Sequence, residues 1–365
     1  MEFSQDGGKI AISHGEHGKV LDWISGKEIS RLQQCGNLGV ADFSSDGKIV
    51  SYFSESKDDN RDACIWSAED GRVVGHLKLP ADAGTERCVP FFSPDNRKIV
   101  AEYPDGILIW DLSDLAHVGR VKISRNRDPW MRTFLSWHPV THEMICANAD
   151  GKLLKVDLQK ETAVPLLTKP ESPTKGAQWS PDGRYLVAIG RNEGSVLVWD
   201  VQAKSVVAKL PVRDVLYACF SPNSDRVATM AKGVGPWGRR TQIWDASSGK
   251  MICELPTTAI VTFSPDWSYY VEAGEKGVRI AKFDGTESCE YSGMFDGHGS
   301  ICRFSPDNRY LARVNASGLV DVMQHNEPIR SWIQVPAFYQ FWMIVLALAG
   351  LMWIVRARNS TERQS

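Results

Sequence analysis

The sequence has no pair of cysteines spaced as C-x-x-C. Its eight cysteines, at positions 35, 64, 88, 146, 219, 253, 289 and 302, stand at least thirteen residues apart. A zinc ribbon, a thioredoxin-type redox centre and c-type haem attachment therefore lack their signature. Most of these cysteines sit in apolar runs, where the side chain acts as a small buried hydrophobe. A charge excess is also missing: 42 Lys and Arg against 44 Asp and Glu leave a formal net charge of −2. That balance argues against a nucleic-acid partner. The opening residues, Met1-Glu2-Phe3-Ser4-Gln5-Asp6-Gly7, carry neither the basic nor the apolar stretch of a secretory leader. No long helical periodicity occurs before residue 332. No Walker loop, Rossmann glycine pattern or G-x-S-x-G elbow falls in a strand–turn–helix context.

What the sequence does have is a repeat. An aromatic, then Ser or His, often Pro, then Asp or Asn, often Gly, returns along nearly the whole chain. The copies begin at Phe3, Phe43, Phe92, Trp137, Trp179, Phe220, Phe263 and Phe304, at intervals of 40, 49, 45, 42, 41, 43 and 41 residues. Each copy has the same physical grammar. The aromatic ends one strand, and a segment such as Ser180-Pro181-Asp182-Gly183 supplies turn chemistry: proline sets φ, Asp bonds back to the backbone, Gly accepts positive φ. A short apolar strand follows, as in Tyr185–Ile189. A second turn ends in glycine, and a β-rich strand then ends in Trp-Asp, as at Trp110-Asp111, Trp199-Asp200 and Trp244-Asp245. A polar turn leads to a fourth strand such as Met251–Leu255. Four short antiparallel strands in 40–45 residues predict one blade of a propeller.

These motifs resemble the WD-repeat family over roughly residues 1–331. The resemblance implies an all-β propeller that binds proteins. The family's Gly-His pair before the first strand is mostly absent, with Gly297-His298 the clearest candidate and Gly75-His76 less well placed. Its histidine-mediated hydrogen-bond network is therefore expected to be incomplete. Eight blades are expected, with seven as the alternative. The first unit begins at the end of its inner strand, so that strand is expected to be missing and further residues to precede Met1. The last unit is expected to comprise Ser300–Phe304, Tyr310–Val314, Leu319–Met323 and Pro328–Trp332.

From Ala337 to Val355 the chain reads AFYQFWMIVLALAGLMWIV, nineteen residues with Gln340 the one strongly polar side chain. As a helix this run spans roughly 28 Å, close to the hydrocarbon core of a bilayer. Trp332, Phe338, Tyr339 and Trp342 lie toward one end and Trp353 toward the other, as interfacial aromatics do. A single transmembrane helix with its flanks is thus expected over 332–356, and a short basic tail over 357–365. Arg356, Arg358 and Arg363 place that tail in the cytoplasm and the propeller outside it by the positive-inside rule.

The candidate chemistry is sparse. His138 and His142, followed by Glu143, have helix-like metal spacing, but Pro139 puts them in a turn. His14 and His17 flank a tight turn. Asn315 and Asn359 match the glycosylation sequon. No catalytic residue, metal ligand or cofactor site is nominated. Recognition is better represented, in two long loops on one face of the propeller. One holds Arg125, Arg127, Trp130 and Arg132; the other holds Trp237, Arg239 and Arg240. Trp and Arg are enriched at binding hot spots. A third, acidic loop runs from Ser54 to Asp62. The reading is a membrane-anchored scaffold that holds protein partners without catalysis. Its rivals are a propeller enzyme or small-ligand sensor using the central channel, and a fragment of a larger receptor or signalling protein.

Overall fold

A computed structural model describes residues 2–14, 17–23, 25–32, 37–44, 46–54, 63–77, 79–80, 90–103, 105–124, 136–166, 173–190, 196–233, 238–255, 260–274, 277–283, 288–291, 301–314, 320–324 and 333–334. Every regular element in them is a β-strand, and among the described residues no helix is long and apolar enough to cross a membrane. The 32 strands pair into eight four-stranded sheets, each of four successive strands in chain order. The sheets cover 2–32, 37–77, 90–122, 136–165, 174–210, 215–254, 260–291 and 301–334, and are numbered first to eighth.

The fifth sheet shows why these residues form these strands. Tyr185–Gly190 and Val196–Asp200 are its middle strands, almost wholly buried, and they read as unbroken apolar runs because neighbouring sheets cover both faces. Ser205–Leu210 alternates between exposed and buried residues, as an outer strand does. Apolar clusters then join each sheet to the next. Val20 and Leu32 of the first sheet pack on Ile49 and Trp66 of the second. Val187, Val198 and Leu210 of the fifth pack on Phe220 and Trp244 of the sixth. Val278 and Ile280 of the seventh pack on Phe304 and Leu311 of the eighth.

The last of these clusters joins the two ends of the chain of sheets: Phe3, Ile10, Leu21 and Trp23 of the first sheet meet Tyr310 and Ala312 of the eighth. Trp23 is central to the contact. Its ring centroid lies 4.0 Å from that of Tyr310 and 6.0 Å from that of Phe3, and its indole N–H donates to the Gly7 carbonyl at 2.7 Å. Four-stranded meanders packed face to face and closed on themselves make a β-propeller.

One expectation is corrected at this junction. The first sheet does not lack its inner strand: Glu2–Phe3 is present, cut to two residues, and pairs with Ile10 and Ala11. The expected outer strand Pro328–Trp332 of the eighth sheet lies outside the described residues; the described fourth strand there is Ile333–Gln334, paired with Asp321 and Val322. Strand periodicity is weak evidence for segments so short, whereas cross-strand pairing selects one register.

The repeated turn explains the repeated motif. In seven sheets a serine hydroxyl donates to an Asp carboxylate two or four residues on, as Ser180 does to Asp182 and Ser221 to Asp225. The same oxygen accepts the backbone N–H that opens the second strand, Tyr185 in the fifth sheet. These serines are buried, and the contact satisfies groups that water cannot reach. In the fourth sheet His138 takes the serine's place. Its Nδ1 accepts from the N–H groups of Val140 and Thr141, both at 3.1 Å, so Nε2 carries the proton and donates to the Gly183 carbonyl at 3.1 Å.

Candidate functional site

The first and fourth strands are the two edges of each sheet, and the first strands of neighbouring sheets meet one another, as the inner strands of a propeller do, which leaves the fourth at the rim. The aromatics that end the inner strands point toward the preceding sheet, as Phe43, Phe92, Phe220 and Phe304 do. Strand alternation sends the residue just before each aromatic the other way. The polar residues at that position are Glu2, Asp42, Ser136, Gln178, Thr262 and Arg303, and the sixth sheet has Cys219 there.

Several of them link neighbouring inner strands around the central opening. Asp42 Oδ2 accepts the backbone N–H of Phe92 on the next sheet at 3.0 Å. Ser136 Oγ accepts the N–H of Trp179 at 3.0 Å, which repeats the geometry two sheets further on. Gln178 Nε2 donates to the Tyr217 hydroxyl at 3.3 Å. Arg303 Nε stands 4.0 Å from Glu2 Oε2 across the junction of the eighth and first sheets.

The electrostatics of this ring are uneven. Burial pushes the Asp42 carboxyl up to about 6, and the nearby Glu2 carboxylate adds to the rise while the Phe92 N–H opposes it. Burial raises Glu2 as well, against the pull of Arg303. Tyr217 is 37% exposed. Protein nevertheless surrounds it on most sides, and this desolvation pushes its phenol to about 12. Desolvation likewise drives the Cys219 thiol to about 12, so it is not a thiolate nucleophile at neutral pH. One arc of the opening therefore holds two carboxyls and a guanidinium, with one carboxyl able to exchange a proton close to neutrality. The next inner strands carry neutral hydroxyl, amide and phenol groups.

None of these residues was among the sequence candidates. The signal was available: once the copies are aligned on their aromatic, the position before it is polar in six of eight. Of the seven loop candidates, Arg125, Arg127, Trp130, Arg132 and Trp237 lie outside the described residues. Arg239 and Arg240 open the third strand of the sixth sheet, half-buried and paired with Lys232 and Ala231. The structure does not bring them to the opening's acidic arc. The acidic loop lies outside the description beyond Ser54, as do Asn315, Asn359 and the apolar run 337–355.

His138 has both ring nitrogens engaged in its turn, and His142 adopts a left-handed backbone beside it. His14 and His17 are paired residues at the end of a hairpin. Among the described residues no group of three or more His, Cys, Asp and Glu is arranged to hold a metal ion. Cys219 and Cys253 are free thiols. The Trp-Asp pairs serve structure. Trp66 and Trp110 are fully buried, and Trp244 donates to Thr229 Oγ1 at 2.8 Å. Asp245 caps its turn through Ser247 and Ser248, which hold its carboxyl down at about 2. His76, of the Gly75-His76 pair, sits on an outer strand against Cys64 at 3.4 Å.

No protein-family model matches the chain, and no curated protein matches it in sequence. Solved structures do. The dihydro-heme d1 dehydrogenase NirN, in complex with DHE, superposes with a TM-score of 0.67 at 15% identity, over 92% of this chain and 75% of that one. The computationally designed Ika8 protein gives 0.58 at 16% identity, over 84% and 89%. Hydrazine synthase from Kuenenia stuttgartiensis gives 0.50 at 15% identity, over 69% and 79%. The chain has a β-propeller fold.

At these identities the likeness shows the fold alone, and membership of the WD-repeat family is not shown. The expectation of a chain without catalysis is corrected. Two of the three neighbours are a dehydrogenase and a synthase, so this architecture gives no ground for excluding an enzyme.

Proposed function

We propose that this chain is a ligand-binding propeller, an enzyme or small-ligand sensor, that takes a polar small molecule in its central opening. The observation that carries the reading is the uneven inner ring. Asp42, with its carboxyl near 6, lies near Glu2, which Arg303 approaches at 4.0 Å. Gln178 and Tyr217 are hydrogen-bonded to each other on another arc. Convergent polar groups with perturbed proton affinities in a concave site are the usual mark of a ligand site. Asp42 would serve as the proton-exchanging group, Arg303 as the anion-holding group, and Gln178 with Tyr217 as orienting hydrogen bonders. The catalytic neighbours support the reading by showing that propellers of this shape house chemistry.

The C-terminal apolar run would tether the propeller to a membrane as one helix, with the propeller on the extracytoplasmic side. Eight sheets are read as eight blades of one closed ring, with Trp23 holding the first to the last.

The test is native mass spectrometry of the detergent-purified full chain, with a thermal-shift screen of metabolites run in parallel. The expected result is a small molecule that binds the native chain and is lost in both Asp42→Asn and Arg303→Gln. Ligand binding that survives both substitutions, or no ligand for the native chain, would refute the site.

A further inference from the structure

The tether reading leaves open which surface of the propeller the bilayer meets. The strand directions answer it. All pairings within the sheets are antiparallel, so each chain segment crosses the ring's thickness four times. The inner strand ends at the serine–aspartate turn, and the second strand returns to the opposite face. The third strand ends at the Trp-Asp turn, and the fourth again finishes on the opposite face. Every fourth strand thus terminates on the face that carries the second-to-third and fourth-to-first connections. Gln334 is the last residue of such a strand in the eighth sheet.

Only Val335 and Pro336 separate Gln334 from Ala337, where the apolar run begins. Three Cα steps span no more than about 11 Å even when fully extended. Strands of this length make the ring roughly 20 Å thick. A tether that short cannot reach around the rim to present the turn face.

We infer that the face bearing the second-to-third and fourth-to-first connections lies against the lipid headgroups, with the serine–aspartate turns facing away from the membrane. The inference rests on the apolar run being a membrane span. Exposed cations among the described residues of the connection face include Lys122, Lys152, Lys209, Arg213 and Lys232. Arg239 and Arg240 stand at the same end of their strand. Both Arg- and Trp-bearing loops of the sequence connect strand ends on this face, the composition that suits a headgroup layer. The same face also carries the exposed Asp105, Asp150, Asp214 and Glu254, and the turn face pairs its Asp residues with Lys48, Arg184, Arg226 and Arg309, so the short tether and not a charge difference carries the inference.

The full-length chain would be reconstituted into phosphatidylcholine–phosphatidylglycerol vesicles containing a lipid with a nitroxide on its headgroup. A coumarin-bearing amino acid would replace Lys152 or Arg213 on the connection face, or Lys160 or Gln202 on the turn face. The labels on the connection face are expected to be quenched at least twofold more strongly than those on the turn face. Integration is checked separately by resistance to alkaline carbonate. Protein that stays integrated with equal quenching, with none, or with the turn face quenched more, overturns the facing. Protein extracted by carbonate overturns the tether on which it rests.

Discussion

Single residues in this protein hold conformations that one chemical feature explains. Gly183 has φ at +72°, and a Cβ there would press on the His138 ring, whose Nε2 donates to the Gly183 carbonyl. Gly183→Ala is therefore expected to destabilise by about 1–3 kcal/mol, from a left-handed backbone and a clash together. Urea denaturation would measure it, and an unchanged midpoint would remove this account of the fourth turn. The same left-handed position is filled by Asn96, Ser224, Trp267 and Asn308 in other sheets. Trp267 offsets its strain by stacking at 4.6 Å on Phe263. Asp42 supplies a pH test. Its carboxyl titrates near 6 in the fold against 3.8 for the ordinary side chain, so the folded state holds the proton more tightly. Stability should fall as pH rises from about 4 to about 6, and the loss should be complete above that window. Asp42→Asn keeps an oxygen for the Phe92 N–H and removes the charge. It is expected to gain on the order of 1 kcal/mol over the native chain at pH 7.5 and little at pH 4. Paired denaturation curves at the two pH values decide it, and a gain equal at both would point away from ionisation.

Among the elements, the decisive one is the first sheet, where the repeat is least complete. Its inner strand is only Glu2–Phe3, as short as Ser136–Trp137 of the fourth sheet, and Trp23 with Phe3, Ile10 and Leu21 carries the contact with the eighth sheet. Trp23→Ala is expected to cost about 3–5 kcal/mol, the range for truncating a large buried aromatic. Hydrogen exchange should then quicken first in 2–32 and 301–314, with the fourth and fifth sheets still protected. A variant that loses protection evenly would show that Trp23 does not close the ring. A second recurring device is the register shift beside the third strand's end, at Leu21, Trp66, Asp111, Trp199 and Trp244. Such bulges sharpen the local twist, which lets flat meanders fan around an axis.

The whole molecule differs from an open repeat array in having no terminal repeat. Each sheet borrows both faces from neighbours, and closure supplies the last of these to the first. Unfolding is therefore expected as one cooperative transition, with near-ultraviolet dichroism and tryptophan fluorescence giving coincident urea curves. Separated curves would mean that sheets melt in groups. The inner ring belongs to this scale as well. Asp42 and Phe92 are 50 residues apart, Ser136 and Trp179 are 43, and Glu2 and Arg303 lie near opposite ends of the described chain.

The sequence by itself determined the all-β class, the four-strand unit and the position of its turns, because turn chemistry and alternation are local and recur every 40 to 49 residues. Buried Trp110 and Trp244 and the buried serines sit where that pattern puts them. Tertiary structure decided what local pattern cannot carry. It decided that two residues suffice for an inner strand, since pairing and the Trp23–Tyr310 contact hold them. It decided that His138 substitutes for a serine by using both ring nitrogens. It also decided which polar residues share one opening, because a pKa such as that of Asp42 depends on burial and on a neighbour 40 residues away in the chain, Glu2, that the packing of the first sheet on the second brings near.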